Sequence, residues 1–181
     1  MKEISWQSYP VLPELPASPL SGWLLHVGSF MQRLKGLGVN AKVKVLNEGW
    51  QFLPPDEREL LKIPSRIYAR VREVLISSQE GRWMYARTVI PAKTLTGKER
   101  QLANLKNRSL GSVLFSNPAT QRSPFEFACL SPQIKGYTKI SEHLATTHSI
   151  WARRSQFHIQ DKTLLLAEFF SPAIADLLHA N

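Results

Sequence analysis

Cysteine is almost missing from this chain: of 181 residues only Cys129 carries a thiol. An internal disulfide is therefore excluded, and one thiolate is too few for a zinc or iron–sulfur centre, which fits a reducing compartment. Long apolar runs are missing too. No segment approaches the ~20 residues that a membrane-spanning helix needs. The opening "MKEISWQSYPVLPELP" lacks the apolar stretch of about 7 to 15 residues that marks a secretory leader, so the expectation is a cytoplasmic protein. His26, His143, His148, His158 and His179 show no metal-ligand spacing with carboxylates. Nor is there a GxSxG, Walker A or GxGxxG sequence, so nucleophile elbows and phosphate or dinucleotide loops have no support. Acidic residues are scarce, 14 against 23 Lys and Arg, for a formal charge of +9. The basic residues are scattered, and their densest cluster, "RIYARVRE", comes without an RNP-type aromatic motif, a Cys/His finger or a helix-turn-helix pair. Anion affinity is the milder inference: the charge also suits a small polyanionic metabolite drawn to the mouth of a site. A nucleic-acid binder, which would show steep salt dependence, is a rival drawn from the charge alone.

What is present describes an ordinary globular chain, 43% hydrophobic and 20% charged, long enough for one sizeable core and too short for two. One domain over residues 1–181 is expected. In "SPLSGWLLHVGSFMQRLKGLG" the apolar residues Leu20, Trp23, Leu24, Val27, Met31 and Leu34 have the spacing of one helix face, ended by Gly36 and Gly38. "AKVKVLNEGWQFLP" alternates with a bend at "NEG", and "RIYARVREVLIS" with "RWMYARTVIP" reads as a hairpin turning around Gln79, Glu80 and Gly81. Thr96 and Glu99 stand at capping-box spacing, which predicts a short helix over "TLTGKERQLANL". "PFEFACL", "SIWARRSQFHI" and "TLLLAEFF" are three further strands, the last two joined by the turn "QDK". Residues Ser131 to Thr147 form a polar loop or flap with room for a helical turn. Strands that neighbour strands, with helices between groups, argue for α+β with an antiparallel sheet.

Two charges stand out against this background. Alternation in "TLLLAEFFSP" puts Leu164, Leu166, Glu168 and Phe170 on one face and Leu165, Ala167 and Phe169 on the other, so both faces read as buried. A carboxylate there must be paired, hydrogen-bonded or protonated; an internal Glu–Arg pair and a ligand site both answer. In "RIYARVREVLI" one face carries Arg66, Tyr68, Arg70, Arg72, Val74 and Ile76, and Arg72 sits where that face turns apolar. An inward guanidinium there wants a carboxylate, from Glu168 or from a ligand. If Glu80-Gly81 is a two-residue hairpin loop, residue 74 pairs with 87 and Arg87 shares the face of Arg72; a longer loop shifts that register.

"RVREVLI", then "GRWMYARTVIPAKTLTG", "SLGSVLF" and "WARRSQFHIQDKTLLLAEFFSP", in that order and at those spacings, resemble the chorismate pyruvate-lyase family over about residues 20 to 173. The resemblance implies conversion of chorismate to 4-hydroxybenzoate and pyruvate, the entry step to bacterial ubiquinone, with no cofactor and no metal. It also implies a six-stranded antiparallel sheet with flanking helices that encloses the ligand beneath flaps. Matched residue by residue, the arginine for the ring carboxylate falls on Arg72, the glutamate near the ring hydroxyl on Glu168, and two backbone N–H contacts on Phe30 and Leu110, where Gly111 lets main chain approach closely. Phe30 stands where the family pattern has methionine, and the stretch between "FACLS" and "SIWARR" is longer here. With its pKa raised by apolar neighbours, Glu168 would orient the 4-hydroxyl or move a proton. Arg87 is a candidate for the leaving carboxylate, with a structural pair as its alternative. The partners expected are chorismate and 4-hydroxybenzoate alone, for a monomer without a membrane span or a nucleic-acid partner. The rival reading is a non-catalytic sensor of aromatic acids, since effector domains of some bacterial transcription regulators are similar in fold.

Overall fold

A computed structural model describes residues 1–8 and 14–178; His179 lies outside them. Strands β1 (Gln7–Ser8), β2 (Lys42–Gln51), β3 (Ala69–Ser77), β4 (Arg82–Pro91), β5 (Thr120–Arg122), β6 (Glu126–Leu130), β7 (Ile150–Ile159) and β8 (Lys162–Phe170) form one sheet. Its order is β1-β6-β7-β8-β4-β3-β2, with β5 pairing β7 beyond the end of β6, and all of these pairs are antiparallel. The sheet thus has eight strands rather than the expected six. Of the strands not read from the sequence, β5 is three residues long and β1 is described over Gln7 and Ser8 alone, too little for alternation to show.

Both faces of the sheet are covered, as the apolar pattern of its central strands requires. On one face lie α1 (Leu20–Leu24), α2 (Phe30–Gly36) and α4 (Leu110–Leu114), whose Trp23, Leu34 and Leu114 pack with Ile76, Met84, Leu166 and Phe170. On the other lie α3 (Pro55–Leu61) and α5 (Tyr137–Leu144). Here Tyr137, Ile140 and Leu144 pack on Leu75, Ala152 and Phe169, and Leu61 packs on Val71 and Leu165.

The single helix expected from Leu20 onward is two. After α1 the chain leaves the helix and restarts at Ser29, whose hydroxyl accepts from the Gln32 N–H as an N-cap. Val27, periodic with the buried residues, is consequently 71% exposed. The capping box at Thr96 does not form: Gly97–Asn104 is a 3-10 helix, the Thr96 hydroxyl donates to the Lys93 carbonyl, and Glu99 pairs with Lys162 instead. The stretch read as a polar flap contains α5, an amphipathic helix docked on the sheet.

Candidate functional site

Glu168 is on a strand flanked by β4 and β7, opposite Ala86 on one side and Arg153 on the other. The expected alternation holds, and Leu166 and Glu168 face a small cavity of about 50 Å³ under α2 and α4. The carboxylate is 4% exposed and is gripped twice. Arg153 donates Nε to Oε2 at 2.6 Å and Nη2 to Oε1 at 3.1 Å, and Arg122 donates Nη2 to Oε2 at 2.9 Å. Burial alone would push this carboxyl up; the two guanidiniums outweigh it and hold it below the usual carboxylate range. The expected upward shift is therefore corrected. Apolar neighbours are present, but charge-assisted bonds at contact distance dominate them.

The register explains the first grip, since Arg153 stands directly across from Glu168. Arg153 Nη1 continues away from the carboxylate to the carbonyls of Leu24 at 2.8 Å and His26 at 2.5 Å, tying the end of α1 to the sheet. Arg122 comes from β5. Its Nε donates to Ser155 Oγ at 2.7 Å and its guanidinium lies 4.3 Å from the Phe125 ring centre and 4.7 Å from that of Phe157. Burial, partly opposed by Glu168, pushes the Arg122 pKa down to about 10, so the group remains a cation at neutral pH.

Arg72 lines the same cavity from β3, beside Val74 and across from Thr88. Its Nη2 donates to the carbonyls of Lys106 at 2.7 Å and Arg108 at 3.1 Å. Its Nε is buried with no acceptor among the described residues. Burial pushes this guanidinium's pKa down against the opposing pull of Glu48. The carboxylate partner anticipated for Arg72 is thus not Glu168, whose oxygens Arg153 and Arg122 occupy. What Arg72 has is one guanidinium edge anchored on backbone and an Nε left over, at the wall of a cavity.

Phe30 and Leu110 open α2 and α4, each just after a serine cap, Ser29 or Ser109. The first helical N–H has no acceptor within its own helix, and both residues line the cavity. The two helix starts approach each other closely. A Cβ on Gly111 would lie 3.7 Å from Ser29 Oγ, ordinary contact distance, and would crowd the Phe115 ring at the end of its own helix at 3.2 Å.

Arg87 is not part of this site. The hairpin loop is residues 78–81, closed by Ser78 N–H to the Gly81 carbonyl, and a register shift follows at Trp83. Residue 74 therefore pairs with Ala86 and Glu73 with Arg87, which turns Arg87 to the opposite face. There it bonds Glu57 at 2.7 and 2.9 Å and Glu73 at 3.0 Å, and Lys139 of α5 bonds Glu73 at 2.7 Å. Its structural alternative is the one observed. Burial opposes the Glu73 carboxylate, but Lys139 and Arg87 hold its pKa below the ordinary range.

Arg122 and Arg153 carried no role in the sequence reading. For Arg153 a signal existed: a two-residue loop at Gln160-Asp161, within "QDK", pairs residue 153 with 168 by counting outward. Arg122 had none, because its three-residue strand shows no periodicity.

The charged side chains of the cavity are thus Arg72, Arg122 and Glu168, amid apolar groups from α2, α4, β3, β4 and β8. The family model described as "Chorismate lyase" matches residues 1–177. A protein of Methylococcus capsulatus named "Probable chorismate pyruvate-lyase" is 39% identical over 156 residues, 86% of this chain and 96% of that protein. One of Nitrosomonas europaea with the same name is 31% identical over 96% of this chain and 97% of its own length. Among solved structures, PhnF from Mycobacterium smegmatis is similar with a TM-score of 0.62 at 13% identity, covering 82% of this chain and 65% of that one. That last likeness concerns the fold. The sequence relatives and the family match along nearly the whole chain decide the rest: this protein belongs to the chorismate lyase family.

Proposed function

We propose that the cavity removes pyruvate from chorismate, leaving 4-hydroxybenzoate. The observation that carries this reading is a small cavity with a buried, partly unsatisfied guanidinium, Arg72, on one wall and a buried, charged carboxylate, Glu168, on another. An aromatic acid with a hydroxyl para to its carboxylate offers an acceptor to the first and a donor to the second. Arg72 takes the ring carboxylate, with the amides of Phe30 and Leu110 as further donors. Glu168 accepts from the ring hydroxyl.

In the reaction the bond from ring carbon 3 to the ether oxygen breaks and its electron pair leaves with the enolpyruvyl group. The hydrogen on carbon 4 departs as a proton, the ring becomes aromatic, and a proton on the enolpyruvate methylene completes pyruvate. Aromatisation supplies the drive, so the protein has to hold a dianion in a reactive conformation and stabilise the departing charge. Because Arg153 and Arg122 keep Glu168 ionised, its part is to accept from the hydroxyl and raise electron density on the ring, more than to donate a proton. At about 50 Å³ the cavity is smaller than the ~150 Å³ one that holds benzene in another protein. The two Ser-capped helices over it therefore ease outward to admit a ring, as flaps.

The reading needs no metal or cofactor and extends to a cytoplasmic monomer that supplies ubiquinone synthesis; no helix among the described residues is long and apolar enough to cross a membrane. Incubating the purified protein with chorismate in excess EDTA and following products by NMR tests it. Equal amounts of pyruvate and 4-hydroxybenzoate are expected. Binding of 4-hydroxybenzoate without turnover would favour the sensor reading, and turnover lost to EDTA and restored by one divalent ion would end the metal-free one.

A further inference from the structure

The charges around the cavity do not cancel. Arg72 and Arg122 line it, Arg153 stands behind Glu168, and Glu168 is the one carboxylate among the lining residues. Glu48, the acid facing Arg72 across the strand pair, is engaged by Arg70 at 3.3 Å. Two positive charges are left in excess, in a site where burial already penalises cations. Chorismate is a dianion and would supply the missing pair: one carboxylate on the ring, one on the enolpyruvyl group.

The ring carboxylate is assigned to Arg72, which leaves the second without a receptor. Covalent structure limits where that receptor can be. The ether and the hydroxyl of chorismate sit on adjacent ring carbons, so a ring whose hydroxyl meets Glu168 brings its enolpyruvyl group up beside Glu168. Two cations lie there. Arg153 is already engaged, each of its three nitrogens donating to Glu168 or to backbone carbonyls, and it stands behind Glu168 rather than among the residues that line the cavity. Arg122 is freer: among the described residues its Nη1 makes only a long contact, 3.4 Å to the Val27 carbonyl, and the residue lines the cavity. Arg87, the other arginine considered for this role, is on the opposite face of the sheet.

We propose that Arg122 forms the subsite for the enolpyruvyl carboxylate, bridging it to Glu168, and so holds the leaving group while the ether bond breaks. This rests on the placement of the ring between Arg72 and Glu168. Its consequence is selective. Substrate and transition state carry the second carboxylate and 4-hydroxybenzoate does not, so Arg122 serves turnover directly and touches product binding only through its bond to Glu168. A residue that merely positioned Glu168 would affect both alike.

The test compares Arg122→Gln and Arg122→Lys with the unaltered protein, reading kcat/KM on chorismate and Kd for 4-hydroxybenzoate. Arg122→Gln should lower kcat/KM by ~30-fold or more, the usual consequence of removing one partner of a desolvated charge pair. Its product Kd should rise by a clearly smaller factor, the share owed to Glu168 losing one of its two guanidinium partners, and Arg122→Lys should recover part of the loss in kcat/KM. Equal losses in kcat/KM and product affinity, or no loss in kcat/KM, would overturn the assignment. Should the variants fail to fold, the unaltered protein still decides: 4-hydroxybenzoate bearing an ether-linked acetate at position 3 should bind more tightly than its 3-methoxy counterpart, and equal or weaker binding would overturn it. Arg72→Ala separates this from the reading beneath it. Unchanged affinity for 4-hydroxybenzoate in that variant removes the ring placement and the Arg122 subsite with it, whereas lost affinity there with intact kcat/KM in Arg122→Gln removes the subsite alone.

Discussion

Glu168 is held as a carboxylate by Arg153 and Arg122 in a strand buried on both faces, so removing its charge has two effects at once. Glu168→Gln leaves two buried guanidiniums short of a partner, which costs stability, and in the proposed binding mode it takes from the ring hydroxyl its charged acceptor. A lower Tm for the empty protein together with a fall in kcat is expected; a near-normal kcat would make the carboxylate scaffold only. The pH dependence follows from the depressed folded pKa. Stability from such a carboxylate is present above its unfolded value, about 4.3, and is lost as pH falls through the lower folded value. Tm should therefore drop on acidification below about pH 4.3, and less steeply in Glu168→Gln; parallel curves would deny Glu168 this role. Arg72→Ala should weaken 4-hydroxybenzoate binding by ~2–5 kcal/mol, read by calorimetry. Arg87→Gln should lower Tm and leave that affinity unchanged, since its partners Glu57 and Glu73 are on the far face.

At the scale of elements, the long strands were legible in the sequence because burial on one face imposes alternation and burial on both imposes an unbroken apolar run, each sustained over eight or more residues. The break between α1 and α2 was not, for Leu20 to Leu34 keeps helical spacing across it; only the cap at Ser29 marks the restart. The register of the β3–β4 hairpin depended on loop length, and the loop of residues 78–81 with the irregularity at Trp83 put Arg87 on the face that simple counting excluded. Helix α5 was hidden by its polar flanks, although Tyr137, Ile140 and Leu144 supply a clean apolar stripe. Its position gives a test of which face works. Ile140→Ala, in the cluster under α5, should cost ~2–5 kcal/mol of stability and leave kcat near normal at permissive temperature. Ser29→Ala, by contrast, should cost only about 1 kcal/mol while loosening the start of α2 over the cavity, and so raise the Kd for 4-hydroxybenzoate. The reverse pattern, with kcat following Ile140 and not Ser29, would place function under α5.

Across the whole molecule one sheet separates two polar assemblies. Arg72, Arg122 and Glu168 look into the cavity under α2 and α4, and Glu57, Glu73, Arg87 and Lys139 form a second network with a larger pocket, about 390 Å³, on the other side. Size alone would favour the second. The first is favoured because its charges are incompletely answered, with a buried Arg72 Nε lacking an acceptor among the described residues, whereas Arg87 and Glu73 in the second network are paired with each other and with their neighbours. This separation was invisible from the sequence, where Arg72 and Arg87 could be read as sharing a face. The measurement that bears on it most directly is a crystal structure of the protein with 4-hydroxybenzoate. It should place the ring between α2, α4 and the sheet, its carboxylate on Arg72 and its hydroxyl on Glu168. A ring bound instead beside Arg87 and Lys139, with the cavity at Glu168 closed, would contradict the account.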